Sequence, residues 1–200
     1  MSLANSADNT EMGRLLAAIG CVVGERSVIY VSTPLTTGIR WAEWSGVPGA
    51  LKPDDPEYGH ELKTAVVGPN RENARQFVHA LRVRTPSPVV DPSALPDVPG
   101  WSQPDYRAFW AQVIQRYAHT VVFMDGWEYS HGCTYEYLVA VRSGAQTLNQ
   151  DMAKITLSGA ISLIGAAIQE FLKRAQPVDF LEEIVGGIES ELATEQGAEA

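Results

Sequence analysis

The residues with the most chemistry in this chain fall in two short segments. The first, Tyr30-Val-Ser-Thr-Pro-Leu-Thr-Thr-Gly38, sets small hydroxyl side chains and a glycine directly after an apolar, β-branched run. Ser32, Thr33 and Thr36, with backbone N–H groups freed near Gly38, form a candidate cradle for a polar ligand or a phosphate. The alternative is a Ser/Thr/Pro/Gly turn that its own hydroxyls cap. The second segment is Asp125-Gly-Trp-Glu-Tyr-Ser-His-Gly-Cys-Thr-Tyr-Glu136. A glycine turn there leads into a helix expected to carry Glu136 in its first turn, where the helix dipole favours a carboxylate and keeps it ionised. An ionised carboxylate in a cleft is a nucleophile for an anomeric carbon. The alternative is that Glu136 only complements the helix N-terminus, worth roughly 0.3–1 kcal/mol.

Other side chains carry weaker signals. Cys133 lies at the same helix start, which lowers a thiol pKa, and His131 is two residues away. On a tight turn the two are not expected to face each other as a nucleophile pair. His131 is either a proton donor to a leaving group or an exposed loop histidine. Trp41, Trp44 and Trp127 lie in or near loops over the expected site, where a ring stacks on a base or fills the core; Trp110 is expected in the core. Arg40 and Arg107 are phosphate candidates or plain surface residues. No CxxC or HxxxH occurs, so no metal site is expected, and no GxGxxG or GxxxxGK[ST] announces a dinucleotide or NTP. No cofactor is expected.

The elements that must position these residues follow from periodicity. Met12, Leu15, Leu16 and Ile19 predict a helix over 10–19, and Ser27–Thr33 reads as a strand buried on both faces. Residues 39–69, with four prolines and several glycines, read as a long irregular excursion. Asn70 is expected to cap a helix carrying Ala74, Phe77, Val78 and Leu81. Val89-Val90 is a candidate second strand, followed by a proline-rich loop to Pro104, which suits the first turn of a helix. The stripe Tyr106, Phe109, Trp110, Val113, Ile114, Tyr117 marks that helix. Thr120–Met124 is a further buried strand, a helix around Tyr135, Leu138 and Val139 ends near Gly144, and residues 145–149 form a last strand. A long apolar helix at 158–174 precedes an acidic one from Pro177 to about Leu192. Strands alternating with helices predict an α/β fold, a flavodoxin-like or Rossmann-like parallel sheet flanked by helices, with a C-terminal α-helical extension. The expected division is an α/β domain at 1–150 and the extension at 151–200. In such folds ligands bind beyond the C-terminal ends of the strands, which is where both chemical segments fall.

Composition narrows the class. The chain has 200 residues, 45% hydrophobic and 20% charged, which excludes disorder and collagen. Its net charge is −9, of which −7 lies from Ala175 onward, so the body is nearly neutral. Nucleic acid is a poor partner for such a chain, because phosphates need Lys and Arg to displace their counterions. A small anionic substrate remains compatible with the neutral body. Cys21 and Cys133 make no disulfide framework, and no signal peptide or membrane-length apolar run occurs; the expected location is cytoplasmic, with no membrane partner. Met1–Asn9 reads as a frayed leader, and its Met-Ser-Leu as a cloning scar.

Taken together, the two segments resemble the nucleoside 2-deoxyribosyltransferase superfamily, including its nucleotide N-glycosidase branch and uncharacterised relatives. Tyr30-Val-Ser-Thr-Pro-Leu-Thr-Thr-Gly38 is similar to that superfamily's opening strand and turn. Ser130, Gly132 and Glu136 fit its later spacing of Asp or Ser, one residue, Gly, three residues and the nucleophilic Glu. Val90-Asp91-Pro92 is similar to the segment after its second strand. The resemblance covers residues 27–150 and implies that Glu136 attacks C1′ of a nucleoside or nucleoside 5′-monophosphate, expelling the base. A glycosyl ester would then pass to water or an acceptor base. It also implies that Tyr30 orients Glu136, while Ser130 with the N–H groups of Gly132 and Cys133 holds the sugar or a 5′-phosphate. Asp125 and Trp127 complete the expected substrate contacts. The superfamily's transferases carry an acid near the position of Trp110 or Ala111, which this chain lacks; Asp105 or Asp125 would have to substitute. The alternative function is a non-catalytic nucleotide-binding or regulatory module, and a third is hydrolysis of a larger ligand such as a dinucleotide. Small residues at 159–167 allow either a homo-oligomer contact or packing within the chain.

Overall fold

In a computed structural model, which describes residues 10–47, 49–95 and 98–198, apolar β-branched runs meet in one sheet. Strands β1 (Val28–Ser32), β2 (Val89–Val90), β3 (Ala118–Phe123) and β4 (Gln146–Asn149) are ordered β2-β1-β3-β4 and all pair in parallel. All five residues of β1 are buried, as its lack of alternation predicts. With helices around the sheet, this is a Rossmann-like α/β fold. The chain leaves β1 toward β2 on one side and later reaches β3 on the other, so the topological switch point lies between β1 and β3.

Alternation along the strands sends side chains to two cores. Val28 and Tyr30 of β1, with Val121 and Phe123 of β3, join a large cluster with helices α1 (Glu11–Val22), α5 (Gln103–Tyr117), α6 (His131–Arg142), α7 (Leu157–Lys173) and α8 (Asp179–Ala198). Ile29 and Val31, with Val122 and Met124, face the other way and meet Ala74, Val78 and Leu81 of α4 (Gly68–Arg84). Ala160 and Ala167 of α7 and Leu181 and Ile188 of α8 are wholly buried. Ala160 and Ala167 therefore pack inside the chain, while Ala166 is exposed, and the two C-terminal helices share the sheet's own core. The acidic helix α8 runs past Leu192 to Ala198.

The excursion expected over 39–69 is largely helical. It contains α2 (Ile39–Ser45), α3 (Tyr58–Leu62) and a π-helical turn, Lys63–Val67, that runs straight into α4. The prolines explain the misreading, because what decides is their position. Pro69 has no N–H to give the helix ladder, and the preceding π turn, with Gly68 N–H donating to Lys63 O, shifts the ladder before the proline is reached. Asn70 consequently is not a cap. The helix already runs in from Tyr58, and Asn70 is buried at 9% exposure with its amide turned on the loop after β1. Pro104 does stand in the first turn of α5, behind a reciprocal capping box between Ser102 and Asp105. Pro48 and the expected leader, Met1–Asn9, lie outside the described residues. Among the described residues no helix is long and apolar enough to cross a membrane.

Candidate active site

Three side chains from two elements converge at the C-terminal end of β1. Tyr30 and Ser32 are two residues apart on the strand, so both point to the α6 face. Tyr30 Oη donates to Glu136 Oε1 at 2.7 Å and Ser32 Oγ donates to Glu136 Oε2 at 2.6 Å. Each carboxylate oxygen thus receives one hydroxyl. Tyr30 and Ser32 are fully buried, while Glu136 is half-buried. The Trp110 ring lies 6.0 Å from the Tyr30 ring.

The electrostatics differ from expectation. Helix α6 starts at His131 with Ser130 as its N-cap, so Glu136 stands in the second turn, beyond the reach of the helix terminus. Burial pushes its carboxyl up from 4.5 to about 7, against the lowering effect of the Ser32 and Tyr30 hydrogen bonds. Near neutrality the group is therefore poised between its two forms. Tyr30 is raised well above the ordinary phenol value, first by burial and then by Glu136, so it stays a proton-bearing donor. Cys133 is also corrected: burial, and then Glu136, push the thiol up to about 12, overriding the helix start that would have lowered it. Burial thus holds the proton on the Cys133 sulfur and disfavours a thiolate.

The remaining expected residues divide by strand parity and by packing. Ser130 is buried and committed to structure: its hydroxyl accepts from Cys133 N–H at 3.4 Å and from Thr37 Oγ1 at 2.9 Å. Thr37 stands beside the expected Thr36 and carries the contact that Thr36, exposed to solvent, does not make. Gly132 lies half-buried in the first turn of α6. Gly38 and Gly126 bring the two loops together, since a Cβ on Gly38 would fall 3.3 Å from Gly126 O and 2.6 Å from Pro34 Cβ. Trp127 is not an open stacking platform. At 3% exposure it stacks on Tyr137, with ring centroids 5.1 Å apart, and packs against Phe123. Trp41 and Trp44 are likewise engaged, with Phe171 and Tyr58 respectively. Thr33 and Asp125 do not join Glu136; they line a cavity on the α4 side of the sheet.

Among the described residues, neither Asp105 nor Asp125 hydrogen-bonds to Glu136 or to its two donors. Asp105 is half-buried, and its hydrogen bonds from Ser102 hold its carboxyl below the usual range. His131 is half-buried beside the Phe180 ring, and burial followed by Arg107 lowers its pKa, which leaves it a weak proton donor at neutral pH. Sequence reasoning missed Glu128, half-buried on the 3-10 turn Trp127–Tyr129 before α6, whose carboxyl is raised by burial and by Asp125. Among the described residues no three His, Cys, Asp or Glu side chains gather as metal ligands would. Compared with known proteins, the chain matches no family model, no curated protein and no solved structure.

Proposed function

We propose that this chain cleaves the N-glycosidic bond of a nucleoside or nucleoside 5′-monophosphate through Glu136. The observation that carries the reading is the pair of hydroxyl donors, Tyr30 and Ser32, each on a different oxygen of that carboxylate at a strand end. They fix the carboxylate plane and favour the ionised form that burial resists, as a nucleophile requires. In the reaction, one Glu136 oxygen bonds to C1′ while the C1′–N bond breaks and its electrons leave with the base, which takes a proton from water. Water or an acceptor base then attacks C1′ and frees the carboxylate. Because Ser130 is occupied as a cap, the sugar and any phosphate depend on backbone N–H groups near Gly132 and on Thr36.

The test is incubation with ribo- and deoxyribonucleosides and their monophosphates, with base release followed by chromatography. Turnover that Glu136→Ala abolishes is the expected result; turnover intact in that variant overturns the mechanism. The alternative, a non-catalytic nucleotide-binding module, is favoured by one feature: Trp110, not an acid, stands beside Tyr30. Nucleotide-dependent thermal stabilisation without turnover across the panel would support that alternative.

A further inference from the structure

The second face of the sheet carries a cavity of its own. Beyond the ends of β1, β3 and β4 lies a cavity of about 320 Å³, within the size range of small-molecule sites. Its walls come from four separate parts of the chain: Asn73, Gln76 and Phe77 on α4, Thr33 after β1, Asp125 after β3, and Gln150 after β4. On α4, Ala74 and Val78 pack on the sheet. Positions 73, 76 and 77 sit beside that apolar stripe, so the helix turns a side bearing amides toward the strand ends.

The hydrogen-bonding capacity is mostly unspent. The exposed Asn73 side chain makes no hydrogen bond among the described residues. Gln150 uses only its oxygen, on Asp125 N–H at 3.3 Å, and Gln76 uses only its nitrogen, on Glu72 at 2.7 Å. Left over are donors at Asn73 and Gln150 and acceptors at Asn73, Gln76 and Asp125. No Lys, Arg or His lines the cavity, so a phosphate would meet one carboxylate and no counter-charge. A primary amide pairs in one plane with adjacent donor and acceptor atoms of a flat heterocycle, as Asn and Gln do with adenine. Phe77 and Met124 provide the apolar surface such a ring needs.

From this convergence of amides around a phenyl ring at the switch point, we infer that the cavity binds an uncharged nitrogen heterocycle of nucleobase size. The inference does not rest on the glycosidic reading, because Tyr30, Ser32 and Glu136 lie on the opposite face. The full chain, labelled with ¹⁵N, is titrated with adenine, hypoxanthine, cytosine and uracil, and separately with inorganic phosphate and ribose. The expected result is a saturable shift of the Asn73 and Gln150 side-chain amide signals with at least one base and with neither control. Asn73→Leu and Gln150→Leu are each expected to weaken that binding about tenfold, while Glu136→Gln leaves it unchanged. Absence of a saturable shift with every base overturns the inference. So does the same response to phosphate or ribose, or unchanged affinity in Asn73→Leu, an exposed position where folding is not at stake.

Discussion

Replacing Glu136 by glutamine removes a charge from the core side of α6 and leaves the side-chain shape almost unchanged. In the unfolded chain this carboxyl titrates near 4.5, and in the folded protein near about 7. Between those values the folded state holds a proton that the unfolded state has released, so stability falls as pH rises through the window. Linkage puts the loss between about pH 5.5 and about pH 8.5 at ~2 kcal/mol, and the partial exposure of Glu136 reduces it to ~1–2 kcal/mol. The glutamine variant lacks this loss. Its stability advantage over the wild type should therefore widen by that amount from the lower to the higher pH, a change in Tm of about 2–8 °C for a domain of this size. Urea unfolding of both proteins at the two pH values measures it, and both conditions avoid the isoelectric region near 4.9. A gap independent of pH, or one that narrows as pH rises, refutes the assignment of a raised carboxyl at Glu136. The same experiment tells whether stability has been spent on holding this charge in place, as functional sites tend to do.

Tyr30→Phe removes the donor to Glu136 Oε1 and should raise the carboxyl midpoint by about 1 pH unit, read from the ¹³C carboxyl signal of labelled Glu136; a lowered midpoint would contradict the hydrogen-bond geometry. Asn70→Ala leaves Pro34 O and Leu35 O without the amide that donates to them at 2.7 and 3.1 Å, and should destabilise by about 1–3 kcal/mol in denaturant melts. Ser45 Oγ is buried with no hydrogen-bond partner among the described residues. Ser45→Ala should accordingly be neutral or stabilising by up to about 1 kcal/mol, which calorimetry would show.

The strands were readable because burial on both faces leaves unbroken apolar runs, and the α5 stripe was readable because one of its faces meets the core. The excursion after β1 misled for a physical reason: Gly68 and Pro69 read as helix breakers, but a π turn shifts the hydrogen-bond ladder ahead of the proline and the helix runs on. In the candidate site, the partnership of Tyr30 with Glu136 was legible only through the resemblance, since nothing local ties residues 106 positions apart. The titration of Glu136 and of Cys133 was misjudged because it depends on depth below the surface, which spacing along a helix does not encode. Strand parity, which separates Ser32 from Thr33 and so divides one hydroxyl run between two faces of the sheet, was available from the start.

The close approach of Gly38 and Gly126 leaves no room for a side chain between the two loops. A methyl group on Gly126 would fall 2.6 Å from Ile39 Cγ2, so it would act as a wedge between the loop after β3 and the first residue of α2. The absence of a side chain at these two positions is thus what lets the loops that follow β1 and β3 sit together.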